Sequence, residues 1–328
     1  MELKTITVVV PTYNEQENIP LVYQKIANIF EQYHDKYSLE ILFIDNCSKD
    51  KSRELIMELA QQDLRVKAIF NAKNFGFTRS TFYGLTQATG ECAILIFADM
   101  QDPPEIIPQF IERWECGYKI VVGIKNRSKE NPIIYFMRSC YYHIIKKISE
   151  IDHINQFDGF GLYDEAFLNV LRKLDDSLPY LRGIIAEIGF QRSEVNYTQE
   201  KRKQGKTKFN FLKLYDLAML GITSYSKIIM RLATLIGFGI AFISLFIAGC
   251  TFIYKLFNWD SYPIGNAAIS IGVFFFGAVQ LFFVGLLGEY ILNINTRVMH
   301  HPLVIEEKRI NFEKSTEAEK ESTHHGAK

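Results

Sequence analysis

The sequence predicts an α/β fold: an open sheet of parallel strands in an N-terminal domain, followed by amphipathic interfacial helices and two C-terminal transmembrane helices. Three observations predict it. Short aliphatic and β-branched runs alternate with helix-period segments through roughly the first third of the chain. Charged residues vanish from two long stretches near the C-terminus, and between these regions apolar residues recur every three or four positions.

The strand candidates are Thr5–Val10, Leu39–Ile44, Val66–Phe70, Cys92–Phe97 and Lys119–Gly123, each a short run of the kind buried in parallel sheets. Helical patterns fall between them at Glu17–Tyr33, Lys51–Gln62, Arg79–Ala88 and Pro104–Cys116. Such alternation implies right-handed crossovers, and ligands then bind at the carboxyl ends of the strands. From Phe209 to Met230 the residues Phe211, Leu214, Leu217, Ala218, Ile222, Tyr225 and Ile229 draw an apolar stripe. That stripe suits either helices lying in a membrane interface or a helix packed on the catalytic domain.

No charge occurs between Arg231 and Lys255 or between Asp260 and Glu289. About 20 apolar residues cross the ~30 Å hydrocarbon core, so both stretches qualify as spans. The connector holds Trp259 and Tyr262 and no Lys or Arg, whereas Lys227, Arg231, Arg297, Lys308 and Arg309 flank the other ends. The positive-inside rule then places both termini in the cytoplasm. The expected organisation is a catalytic domain over 1–208, interfacial helices over 209–231, spans over 232–257 and 264–292, and a cytoplasmic tail over 293–328 with a disordered end. The apolar run Ile6–Val10 is too short for a signal peptide.

The 328 residues hold 37 Lys plus Arg against 37 Asp plus Glu, and this zero net charge disfavours a nucleic-acid partner. Five cysteines without a C-x-x-C pair argue against a disulfide framework or a zinc site.

Acidic and amide residues gather after the strands: Pro11-Thr12-Tyr13-Asn14-Glu15, then Asp45-Asn46, then Asn71 and Asn74, then Asp99-Met100-Gln101-Asp102. Each alone could be a helix cap. Together they form a set of hard oxygen donors suited to Mg²⁺ or Mn²⁺, and so to a diphosphate. Neither G-x-G-x-x-G after the first strand nor a P-loop is present, which disfavours dinucleotide enzymes and P-loop NTPases.

The segments VVVPTYNEQENI, FIDNCSKD, NFGFTRSTFYGL and FADMQDPPE resemble family 2 glycosyltransferases of the GT-A, Rossmann-like fold. With the two spans, the chain is similar to the polyprenyl-phosphate glycosyltransferases, which include bacterial undecaprenyl-phosphate glucosyltransferases and dolichyl-phosphate mannose synthases. The resemblance implies that Pro11, Tyr13, Glu15, Asp45, Asn74, Arg79 and Asp99 bind a nucleotide sugar, with Asp45 on the base or ribose. It implies that Asp99 and Gln101 hold Mg²⁺ or Mn²⁺. The family's first metal-motif acid is replaced by Phe97, leaving Asp99 and Gln101 with Asp102 next in line.

Downstream, GFGLYDEAF resembles the family's acceptor segment, and RKQGKTK its R-x-x-G-x-[ST]-K element. The resemblance implies that Arg138, Asp158, Arg202 and Lys208 face the acceptor phosphate, and that Asp99, Gln101, Arg202 and Lys208 carry catalysis. Its implied reaction is inverting transfer of one sugar, UDP-glucose leading and UDP-N-acetylhexosamines next, to undecaprenyl phosphate at the cytoplasmic face of the cell membrane, supplying cell-surface glycan modification. Relatives also suggest self-association. Two rival classes stand beside this: a catalytically silent membrane scaffold, motivated by Phe97, and a transport component. Neither predicted span carries an ionisable residue at its centre, which counts against transport.

Overall fold

The computed structural model describes residues 3–127, 154, 156–199, 266–299 and 301–312, with isolated helical positions at 239, 242, 246, 253 and 257. Its contacts divide the chain into two units, one of 1–131, 154–207 and 300–328, the other of 132–153 and 208–299.

The first unit is built on an eight-stranded sheet of order β7-β5-β6-β4-β1-β2-β3-β8. The strands are β1 (Lys4–Thr12), β2 (Tyr37–Asp45), β3 (Val66–Asn71), β4 (Cys92–Leu95), β5 (Ile120–Arg127), β6 (Gly161–Asp164), β7 (Arg192–Thr198) and β8 (Glu306–Ile310). The pairs β1/β2, β1/β4, β2/β3 and β5/β7 are parallel; β4/β6, β5/β6 and β3/β8 are antiparallel. The helices are α1 (Ile19–Glu31), α2 (Ser52–Gln62), α3 (Phe77–Gln87), α4 (Ile107–Glu115), α5 (Glu165–Lys173) and α6 (Leu181–Ile188).

Side chains alternate across a strand, and both faces here are buried. Val8, Val10, Ile41 and Phe43 share one core with Ile19, Val22, Ile26 and Phe30 of α1, Ile56 of α2 and Phe110 of α4. Val9, Leu42 and Ile44 share the other with Phe82 and Leu85 of α3, Phe167 and Leu171 of α5, and Ile184 of α6. Gly84 lets α3 sit tightly on the sheet, since a Cβ there would lie 2.8 Å from Ile44 Cγ1 and 2.9 Å from Val9 Cγ1.

All five predicted strands and four predicted helices form, with ends shifted by a few residues. Pro104–Ile106 makes a separate 3₁₀ turn before α4. Strand order reverses at β1, with β2 on one side and β4 on the other. A crevice at such a reversal is where open α/β sheets bind ligands, and Thr12, Asp45 and the segment after Leu95 all end there.

The C-terminal segment differs from its expected character as a tail. The helix α7 runs Asn266–Val298, so residues 293–298 continue it, and β8 then pairs with β3. Alternation in Glu306–Ile310 is masked by its charges, because an edge strand leaves most side chains in solvent.

With 33 residues, α7 is about 50 Å long at 1.5 Å per residue. No helix among the described residues is long and apolar enough to cross a membrane. From Ala267 to Gly288, α7 holds no charged residue. The predicted interfacial helices over 209–231 lie outside the described residues, as does the first span over 232–257 apart from the isolated positions named above.

Candidate active site

At the sheet edge Pro11 and Thr12 stand in register with Ile44 and Asp45. The two loops that follow are laced together. Asn14, at a φ of 52°, donates its N–H to Ser48 Oγ (2.8 Å), and its Oδ1 accepts from the Lys49 N–H (2.7 Å). A short polar side chain tolerates that left-handed backbone. The Glu15 N–H donates to Ser52 Oγ (2.9 Å) and the Gln16 N–H to Asp50 Oδ2 (3.3 Å). Thus PTYNE and DNCSKD form one wall. Tyr13 is half-buried in it. The Glu15 carboxylate accepts from Asn18 Nδ2 (2.7 Å), so it also secures the entry to α1.

Asp45 is fully buried. Its Oδ2 accepts from the Ser48 N–H (3.1 Å) and faces Arg53 Nε at 3.5 Å. Its Oδ1 is buried with no hydrogen-bond partner among the described residues. Burial raises the Asp45 pKa, against the opposing pull of Ser48 and Arg53. A buried acceptor without a donor costs about 1–3 kcal/mol, so this oxygen is suited to a ligand N–H or hydroxyl.

Amides close the neighbouring strand ends. Asn46 Nδ2 donates to Asn74 Oδ1 (3.0 Å) and to the Gly76 carbonyl (3.2 Å), while its Oδ1 accepts from the Phe75 N–H (2.9 Å) and Asn71 Nδ2 (3.2 Å). Asn74, read as a nucleotide ligand, therefore uses its carbonyl oxygen to shape this loop. Arg79 donates to the Pro302 carbonyl and lies over the Phe75 ring at 5.7 Å. Its Nε is buried with no partner among the described residues, and burial lowers its pKa.

After β4 the chain turns through Asp99, Met100 (φ 57°) and Gln101. The Gln101 N–H donates to Asp99 Oδ1 (3.2 Å), and Gln101 Oε1 accepts from Gln199 Nε2 (2.9 Å). Asp99 and Gln101 are both half-buried. Asp102 is not: it is buried, its Oδ1 takes the Tyr197 hydroxyl (2.5 Å), and Lys125 Nζ stands 3.9 Å away. Burial, then the charge of Asp158, push its pKa up to about 7. That sequesters Asp102 from a metal. Lys125 also pairs with Asp158, whose Oδ1 is buried without a partner among the described residues.

Phe97 does not point to a lost fold. Its ring packs against Phe77 with centroids 5.2 Å apart. Gly159 (φ 119°) passes beneath, where a Cβ would lie 3.2 Å from Leu95 and 3.5 Å from Phe97.

Among the described residues, no group of three or more His, Cys, Asp or Glu is arranged to hold a metal ion. Asp99 and Gln101 nonetheless fit a hard cation. Mg²⁺ is commonly held by one or two carboxylates with substrate phosphates and water completing the shell. One carboxylate and one oriented amide oxygen on a single loop meet that pattern.

The structure thus gathers Pro11, Tyr13 and Asp45 at one strand edge, Asp99 and Gln101 on the next loop, and Asp158 beside Lys125. Arg138, Arg202 and Lys208 lie outside the described residues. Sequence reasoning missed Lys125, Tyr197 and Gln199. Their signal was weak: Lys125 follows the predicted fifth strand by two positions, and Tyr197 on β7 and Gln199 just past its end precede the basic segment.

The glycosyl transferase family 2 model matches residues 7–189, which contain every candidate site residue named above except Tyr197, Gln199, Arg202, Lys208 and Pro302. The chain belongs to glycosyl transferase family 2. Membership agrees with the mixed, Rossmann-like sheet and with the acidic loop at its switch point. A bactoprenol glucosyl transferase of Shigella phage SfV is 34% identical over 92% of this chain and 97% of its own length. The prophage bactoprenol glucosyl transferase homolog of Escherichia coli K12 is 33% identical over 87% of this chain and 93% of its own. An uncharacterized glycosyltransferase of Bacillus subtilis, YkcC, is 32% identical over 94% of each chain. Among solved structures, the mannosyl-3-phosphoglycerate synthase of Rubrobacter xylanophilus superposes with a TM-score of 0.46 at 14% identity, covering 71% of this chain and 75% of that one.

Proposed function

We propose that this chain transfers one sugar from a nucleotide sugar to a polyprenyl phosphate, with inversion, at the cytoplasmic face of the cell membrane. The leading donor is UDP-glucose and the leading acceptor undecaprenyl phosphate. The observation that carries the reading is the pairing of a buried Asp45, with one unpartnered oxygen, and an accessible Asp99–Gln101 loop at one sheet edge of a family 2 chain. Relatives named bactoprenol glucosyl transferases, aligned over nearly their whole length, support the lipid acceptor.

In this reading the Asp45 wall binds the nucleoside. Asp99 and Gln101 would hold Mg²⁺ or Mn²⁺, which would supply charge neutralisation for the departing diphosphate. A phosphate oxygen of the lipid attacks the anomeric carbon from the face opposite the diphosphate. The new carbon–oxygen bond forms as the bond to the diphosphate breaks, and the nucleoside diphosphate leaves with the electron pair. The lipid phosphate, with a second pKa near 6, is already largely ionised at neutral pH. No general base is required, and the protein works by positioning and charge compensation. Arg202, Lys208 and Arg138 would compensate the charge of the diphosphate and of the lipid phosphate.

The C-terminal strand supports the two-span arrangement. With β8 hydrogen-bonded to β3, this reading has the chain segments before and after the apolar stretches share one side of the membrane. Crossings between them must be even in number, which suits two spans with cytoplasmic termini.

The second reading, a catalytically silent scaffold, rests on Phe97 filling the first acid position against Phe77. One assay separates them: membranes holding the protein, labelled UDP-glucose or UDP-N-acetylhexosamine, undecaprenyl phosphate, with and without Mn²⁺ or Mg²⁺. Label entering the lipid phase only with cation supports the transferase. Nucleotide binding without a lipid-linked product supports the scaffold.

A further inference from the structure

The C-terminal strand reaches the donor site through two arginines. Arg53 NH2 binds Glu307 Oε2 at 2.7 Å, while its Nε faces Asp45 Oδ2 at 3.5 Å. The Phe70 ring lies beneath the guanidinium at 5.1 Å. Separately, Arg79 at the start of α3 donates to the Pro302 carbonyl. The strand itself is well anchored. The Ala72 N–H donates to the Ile305 carbonyl (2.9 Å), Tyr83 donates to Glu306 (2.6 Å), and Asn311 Nδ2 reaches the Ala60 and Val66 carbonyls (2.6 and 2.9 Å).

A guanidinium is a planar fork, so fixing one nitrogen fixes the direction of the others. Glu307 holds the outer nitrogen, which aims Nε at the buried carboxylate. Without that hold, Arg53 keeps only its ring contact and a long ion pair. We infer that Glu307 is a positioning residue for nucleoside diphosphate binding, acting through Arg53 on Asp45, so that this one side chain of β8 belongs to the donor site. The inference rests on the donor-site reading of Asp45. It explains why a charged edge strand, remote in sequence, is docked beside the two loops that carry the nucleotide residues. Glu307 is half-exposed, and an exposed ion pair contributes little to folding, so its contact with Arg53 is poorly accounted for by stability alone.

The test uses the purified full-length chain and calorimetric binding of UDP and GDP. Glu307→Gln and Arg53→Gln are each expected to weaken the preferred nucleotide roughly five- to twentyfold, a coupling of the size seen within one ion-pair network. The double variant should be no weaker than Arg53→Gln, and turnover at saturating donor should stay within about twofold of wild type while the donor KM rises. Glu306→Gln is the control, because Glu306 sits on the same strand but binds Tyr83 and Arg309; it should leave nucleotide affinity unchanged. Unchanged affinity in Glu307→Gln overturns the inference, as does equal weakening in Glu306→Gln or additive loss in the double variant. A wild-type chain that binds neither nucleotide instead overturns the donor-site reading, and this inference falls with it.

Discussion

The Tyr197 hydroxyl donates to Asp102 Oδ1 at 2.5 Å, tying β7 to the loop that carries Asp99 and Gln101. Two positions along, Gln199 Nε2 donates to Gln101 Oε1 at 2.9 Å. Tyr197 lies on β7 and Gln199 just beyond its last residue, so one chain segment clamps the metal-motif loop twice. The basic segment that follows β7 is thereby linked in sequence to the loop it would serve.

Tyr197→Phe removes the hydroxyl from a buried carboxyl and leaves Asp102 short of a donor. We expect a stability loss of about 1–3 kcal/mol, read from the denaturant midpoint. An unchanged midpoint would show that the bond has no structural weight.

Asp99→Ala should reduce cation-dependent transfer by at least about a hundredfold, the scale seen when one charge-stabilising group is lost. Gln101→Ala should act more mildly, raising the cation concentration needed for half-maximal rate. Metal-dependent turnover that survives Asp99→Ala would refute the metal assignment.

Asp45 carries a pH signature. Its pKa is raised in the fold, chiefly by burial, so the folded state binds a proton more readily than the unfolded state. The stabilising contribution is full below the unfolded value near 3.9 and is lost as pH rises through the raised folded value. Nucleotide binding runs the other way, since an ionised Asp45 is the better acceptor. Affinity for UDP should fall on acidification at a pH above the ordinary carboxylate range. Asp45→Asn should flatten that acid limb in calorimetric titrations at a series of pH values, and an acid limb that persists unaltered would contradict the role.

Phe97→Asp would restore a carboxylate at the first motif position and dissolve the ring pair with Phe77. Loss of such a pair costs roughly 0.5–1.5 kcal/mol beyond the buried area. We expect a lower melting temperature together with tighter Mn²⁺ binding, measured by electron paramagnetic resonance of the free ion. Unchanged Mn²⁺ affinity would place the ion away from this loop.

The parts legible in the sequence were those written in local pattern. Short β-branched or aliphatic runs such as Ile6–Val10 and Ile41–Ile44 name strands buried on both faces, and acids after them name the ligand edge. What was illegible depended on distant pairing. Glu306–Ile310 looks like a solvated tail because its charges face water, and only its hydrogen bonds to β3 make it a strand. Asp102 looked like a metal ligand beside Asp99, yet Tyr197, ninety-five positions away, claims it. The family resemblance implies nucleotide-binding roles for Asn74 and Arg79, while their bonds to Asn46 and Pro302 come from pairings that no local pattern announces.

The most direct measurement is the position of Mn²⁺ in crystals of the full chain grown with UDP and Mn²⁺, located by anomalous scattering. The account predicts a single strong peak bridging the diphosphate and the Asp99 carboxylate, with the uracil or ribose at Asp45. A cation and diphosphate seated away from Asp99 would contradict it.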